Sequence, residues 1–240
     1  MGLAALALVS SAQAENITIV NGMFTQGVTS SSEFGTLYPS VQVTGWATDG
    51  YNFVFLPGTA DGPGANSQYG NLQLWGPANG SANNLPATDP NGGNFLAADG
   101  DFSTGAITQT LTGLTIGSPT TVSFYFAGAQ QQGTNFTAAT TEQFDVSLGS
   151  QTLDTPVLSN AGEGFTGWQQ ESLTFTPTSA TEVLSFLAVS TPGGEPPMSL
   201  LADVTASTTP EPSSFMLLGT GIVGISGLVK ARLRKSKATK

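Results

Sequence analysis

From Met1 to Val229 this chain contains no Lys, Arg or His, and it has no Cys anywhere. A fold built from it can use neither an internal salt bridge nor a disulfide. Its six cations all lie in the last eleven positions, and of its sixteen Asp and Glu only Glu211 follows Asp203. Every carboxylate that becomes buried must therefore find backbone N–H groups, hydroxyls, amides or a metal ion. Nucleic acid is excluded as a partner, because its phosphates need cations to grip. Ser–His–Asp, Cys–His, Ser–Lys and Schiff-base chemistries are excluded with their residues, and zinc loses its usual ligands. The catalysis that remains is a carboxylate pair of the glycoside-hydrolase kind. Asp99 and Asp101 are the nearest pair, with Glu142, Asp145, Glu163 and Glu171 as further acids. No motif for a sugar-holding cleft accompanies them, and the chain reads as a non-enzyme.

Between Glu15 and Ser207 the pattern is short β runs broken by turns, with no amphipathic helical period. Ile17–Val20, Val41–Trp46, Tyr51–Leu56, Leu72–Trp75 and Asn94–Ala97 are the early runs. Gly76 to Gly93, rich in Asn, Pro and Gly, is the longest irregular stretch. The later runs alternate more cleanly. Val122, Phe124 and Phe126 point one way and Thr121, Ser123 and Tyr125 the other; Phe144, Val146 and Leu148 repeat the pattern. Leu173 and Phe175, Val183–Val189 and Leu200–Thr205 complete the set, with the nearly all-apolar Val183–Val189 as a central strand. The expected fold class is all-β: residues 15–206 form an antiparallel two-sheet sandwich, a jelly roll, followed by one C-terminal transmembrane helix.

The two ends read as addresses. Met1–Ala14 is an apolar stretch closed by Ala12-Gln13-Ala14, a signal peptide with its small-residue cleavage site. Its missing basic region points to a start upstream of Met1. Residues 207–212 are a linker holding Pro210-Glu211-Pro212. Residues 213–229 are uncharged and span roughly 25 Å as a helix of 1.5 Å rise, the short end for crossing a bilayer. Residues 230–240 form a basic tail in which Lys230, Arg232, Arg234 and Lys235 hold the cytoplasmic side.

Pro-Glu-Pro, a short apolar helix and a basic tail, in that order, resemble the PEP-CTERM sorting signal of Gram-negative bacteria. The resemblance implies export, an exosortase-type sorting enzyme as partner and an inner-membrane anchor before processing. It further implies delivery to the cell surface or an exopolysaccharide matrix. Within the domain, Asn94–Gly100, Ser123–Gly128, Thr141–Gly149 and Gly164–Trp168 resemble exported bacterial sandwich proteins that carry the same tail, and the galactose-binding-like jelly rolls of carbohydrate-binding modules. The second resemblance implies a polysaccharide ligand and a structural calcium between an early loop and the final strand. Asp99-Gly100-Asp101 sets two carboxylates around a flexible Gly and Asp203 sits late in the last strand, so these three acids are the candidate Ca²⁺ ligands; no other cofactor is expected. For a sugar, aromatic platforms flanked by amides are needed. Tyr69 and Trp75, with Asn66, Gln68, Asn71 and Gln73 nearby, are the candidates; Trp46 and Trp168 read as packing residues.

Overall fold

The computed structural model of the chain describes residues 15–36, 38 and 41–208. The signal segment, the Pro-Glu-Pro motif, the apolar run and the basic tail lie outside them. Residues Asn16–Thr208 form one compact unit. Its strands are β1 (Glu15–Ile17), β2 (Ser32–Glu33), β3 (Asn52–Phe55), β4 (Ala65–Ser67), β5 (Gly70–Leu72), β6 (Phe95–Asp99) and β7 (Ile107–Thr112). They continue as β8 (Thr120–Gln130), β9 (Thr140–Leu148), β10 (Gln151–Asp154), β11 (Leu158–Asn160), β12 (Gln169–Phe175), β13 (Thr181–Thr191) and β14 (Pro197–Thr208).

Two sheets form, as the all-β reading requires. The larger runs β12-β8-β14-β6-β3-β2-β4-β5, with β1 joining β14; the smaller runs β10-β9-β13-β7, with β11 joining β9. Among the strand pairings whose register is described, β2 with β4 is parallel and the others are antiparallel. The alternating strands face each other as the period-2 pattern demands. Val122, Phe124 and Phe126 of β8 meet Phe144, Val146 and Leu148 of β9 and Leu184 and Phe186 of β13 in one core. Phe186 is its hub: its ring lies 5.1 Å from Phe124, 6.0 Å from Phe144 and 6.2 Å from Trp46. Strand β13 is central in its sheet, between β9 and β7. One of its faces is nonetheless open, and Val183 and Val189 are exposed there.

A second core lies on the outer face of the larger sheet. Tyr51, Phe53, Phe55, Phe95, Ala97, Ala129, Met198 and Leu200 point away from the first core and pack with Ala60, Leu72, Leu74 and Leu85. The segment between β3 and β6 supplies these last four and forms a cover over the sheet, to which the irregular stretch of residues 76–93 contributes Leu85. Backbone bonds seat it: Gly58 N–H to Ala87 O at 2.6 Å and Trp75 N–H to Gln130 O at 2.9 Å. The amide of Asn83 ties it further, donating to Trp75 O and Glu163 O. Strand β3 is consequently buried on both faces.

Val41–Trp46 is not a strand. Gly45 takes a left-handed φ of 85° and the Trp46 N–H turns back to Val43 O. The run keeps one isolated bridge, Val41 with Phe34, and a second follows directly after it, Ala47 with Thr108. Its apolar alternation is real, since Val41, Val43 and Trp46 are all buried, but they fill the first core from a loop.

Candidate functional site

The surface feature with most chemistry is an aromatic corner beside the end of β6. The β4–β5 connection is tight: Ser67 Oγ accepts from Tyr69 N–H and donates to Gly70 O, while Gly70 adopts φ 108°. That turn lifts Tyr69 to the tip, where it is 66% exposed. On the other side, Asp99 Oδ1 accepts the N–H groups of Asp101 and Phe102 at 2.9 Å each. This carboxylate-closed turn projects Phe102, which is 45% exposed. Buried Tyr51 lies beneath both. The three ring centroids form a near-equilateral triangle: Tyr51–Tyr69 5.7 Å, Tyr51–Phe102 5.5 Å and Tyr69–Phe102 5.6 Å, each pair edge to face. Such contacts favour positive ring edges on negative ring faces.

Polar groups fix this corner from behind. Tyr51 Oη shares a 3.1 Å hydrogen bond with Ser67 Oγ. Glu33, fully buried, accepts Gln68 N–H and Gln68 Nε2 at 3.0 and 2.9 Å, which pins the turn preceding Tyr69. Burial pushes the Asp99 carboxyl up to about 6, against the pull of the Phe102 and Asp101 amides. Burial likewise raises the Tyr51 hydroxyl; Ser67 opposes this, and the charges of Glu33 and Asp99 reinforce it.

Of the two aromatic residues singled out from sequence, the fold presents Tyr69 and withdraws Trp75. Trp75 is 9% exposed and its Nε1–H donates to Phe136 O at 2.8 Å. The polar segment that separates it from Tyr69 folds into the cover, and the ring goes with it. Trp46 and Trp168 both pack, Trp46 on Phe24 and Phe186, Trp168 on Phe95 and Phe165. Phe102, which sequence reasoning passed over, is the second exposed ring. Its signal was present in Asp99-Gly100-Asp101-Phe102: a turn that places the next side chain outward.

The three acids proposed as calcium ligands are not one group. Asp99 spends one oxygen on its own turn, and Asp101 Oδ2 accepts Gly194 N–H at 3.1 Å. Met198 of β14 pairs with Asp99, so Asp203, five residues further along the strand, lies roughly 16 Å away at about 3.3 Å per residue. Asp203 instead faces Asp89 and Asn91; burial first, then the Asp89 charge, pushes its carboxyl up to about 6. Among the described residues no three acids converge on one point.

The remaining acids are dispersed too. Glu142 points between the sheets and Asp145 to the opposite face of β9, where Asp154 stands across from it. Burial raises the Asp145 carboxyl, and the Asp154 charge adds to this. Glu163 sits in a left-handed turn at φ 59° and Glu171 on edge strand β12.

Residues 208–235 match the PEP-CTERM protein-sorting motif. That motif marks an exported protein, membrane-anchored before it is processed by an exosortase. No curated protein matches the sequence. Among solved structures, the domain is similar to an apo-form cyclase from Fischerella sp., with 18% identity, a TM-score of 0.50 and coverage of 84% of this chain and 98% of that one. It is more loosely similar to TmCBM61, a carbohydrate-binding module solved with β-1,4-galactotriose, at 14% identity, TM-score 0.39 and coverage of 80% and 98%. The CBM22-1 xylan-binding domain from Paenibacillus barcinonensis Xyn10C follows at 10% identity, TM-score 0.35 and coverage of 75% and 92%.

Proposed function

We propose that this exported domain is a non-catalytic glycan-binding module of the cell surface or its matrix, and that the Tyr69–Phe102 corner is its sugar platform. One observation carries the reading. Two large rings stand exposed on rigid turns, edge to face at 71° to each other and braced by a third ring. Exposed aromatic clusters on a soluble surface mark contact sites. Rings fixed before binding lose little side-chain freedom when a ligand arrives. A pyranose offers what such a corner accepts: an apolar C–H face to lie on one ring and an edge to meet the other. Gln68 and Asp101 supply hydrogen-bonding groups beside it, and the absence of internal cations disfavours sulfated or uronate-rich chains. Neutral polysaccharide is therefore the substrate class expected.

Glycan-array binding with the purified chain tests this, followed by titration calorimetry on the best neutral glycan. Tyr69→Ala and Phe102→Ala are expected to weaken binding at least tenfold while circular dichroism stays unchanged. Binding that survives both substitutions, or an array without signal, would return the domain to a purely structural role in the matrix.

A further inference from the structure

One margin of the larger sheet is shaped to take another strand, independently of the glycan reading. Strand β12 is that margin, and it pairs with β8 in unbroken register from Gln169 to Phe175. Hydroxyls meet across the pair, Ser172 with Ser123 at 2.8 Å and Thr174 with Thr121 at 2.9 Å. Side chains this close mark the non-hydrogen-bonded positions of an antiparallel ladder. The N–H and C=O of Gln170, Ser172 and Thr174 therefore point away from β8, out of the sheet. Those of Gln170 and Thr174 have no partner among the described residues. The open run ends at Thr176, whose N–H and C=O are both held by the side-chain amide of Gln151. That amide does for one residue what a neighbouring backbone would do for the others. Proteins blunt such edges with Lys, Pro or a bulge, and β12 has none of these. Its guard is Glu171, whose Oε1 folds back to accept the Ser172 N–H at 3.0 Å.

We infer that the β12 edge is a docking site for an extended segment of another protein, one that carries Lys or Arg. An incoming strand must reach the Ser172 N–H, and so must draw the Glu171 carboxylate off it. A cation placed opposite Glu171 does this, whereas a strand without one meets an occupied donor. Charge also decides between partners. No Lys, Arg or His precedes Lys230, so the acidic domain attracts a basic segment along its whole approach. A second copy would bring a like-charged surface and a second Glu171 to the same seam. Alternation along the strand sets the sequence that fits. Gln170, Ser172 and Thr174 are exposed on the outer face, while Glu171 and Leu173 face the smaller sheet, where half-buried Leu173 packs against the inter-sheet core. An antiparallel partner therefore presents an apolar side chain beside Leu173 and, two residues on, a cation beside Glu171, with small hydroxyl residues between. In strand addition the main chain holds the partner and alternate side chains select it.

The test is fluorescence anisotropy of a dye-labelled peptide, Thr-Val-Thr-Leu-Thr-Lys-Thr, titrated with the full chain in nonionic detergent. Binding is expected, and it should weaken as salt rises. The same peptide with Glu in place of Lys should bind at least about fivefold more weakly. Glu171→Gln keeps an acceptor for the Ser172 N–H but removes the charge, and should erase the difference between the two peptides. Thr174→Pro deletes an outward N–H that the fold does not use. It should weaken the Lys peptide at least tenfold while circular dichroism stays unchanged. Gln170→Pro does the same at the other end of the edge, and gives an independent reading if one Pro variant loses its fold. The inference is overturned if the wild-type chain binds neither peptide or both equally. It is overturned equally if Glu171→Gln keeps the preference for Lys, or if the folded Pro variants bind as the wild type does. Sedimentation that finds the chain pairing with itself, and the Pro variants abolishing that pairing, would also overturn it, because the edge would then belong to a second copy.

Discussion

Replacing Glu142 by Gln measures what a buried acid costs this cation-free interior. Glu142 points from β9 into the space between the sheets and is buried. Its carboxyl occupies the room left by Gly128 on the facing strand β8, where a Cβ would collide with Oε2. The Thr140 hydroxyl donates to Oε1, while Oε2 is buried without a partner. Burial drives the carboxyl from 4.5 up to about 7, with the Thr140 and Asn160 hydrogen bonds pulling the other way. Between those two values the folded state holds a proton that the unfolded chain has released. Stability from this group is thus complete below pH 4.5, falls as pH rises, and is lost above about 7. At 1.36 kcal/mol per unit the loss is about 3 kcal/mol. Gln is neutral throughout, so Glu142→Gln should gain about 3 kcal/mol on the wild type between pH 4.5 and pH 8. Urea denaturation of both proteins at the two pH values reads this directly. A stability difference between them that stays the same at both pH values would refute the account of the buried proton.

Three further outcomes follow from the packing. Phe186→Ala, at the hub of the inter-sheet core, should cost about 3–5 kcal/mol in chemical denaturation. Leu74→Ala should cost about 2–5 kcal/mol by opening the second core, and limited proteolysis should then cut first within residues 76–93. Trp75→Phe removes the donor to Phe136 O; it should cost about 1 kcal/mol and leave glycan binding as it was, separating Trp75 from the Tyr69 platform.

The inter-sheet core was legible in the sequence because a half-buried strand writes its geometry at period 2. Val122, Phe124 and Phe126 could face only one way, and the fold agrees. The second core was not legible. Ala60, Leu72, Leu74 and Leu85 are too far apart, and too mixed with Gly, Pro and Asn, to show any period. What they share is the sheet face they meet in space. Val41–Trp46 shows the opposite failure: the alternation was there, but Gly45 spent its left-handed freedom on a turn. At the acids the limit is register. Asp203 could be chosen from its place late in the last strand. Its partner Asp89 stands in an ordinary turn sequence, and only the meeting of the cover with β14 brings the two together.

Strand β14 carries a consequence for biogenesis. It is the last element of the domain in chain order, yet it sits inside the larger sheet, flanked by β8 and β6 and joined by β1. The sheet cannot be knitted while residues 197–208 are still waiting to be translocated. The polypeptide must emerge almost to its sorting motif before the sheet can close. Any pause in secretion leaves β8 and β6 as two open seams, vulnerable to neighbouring nascent chains and to quality-control proteases.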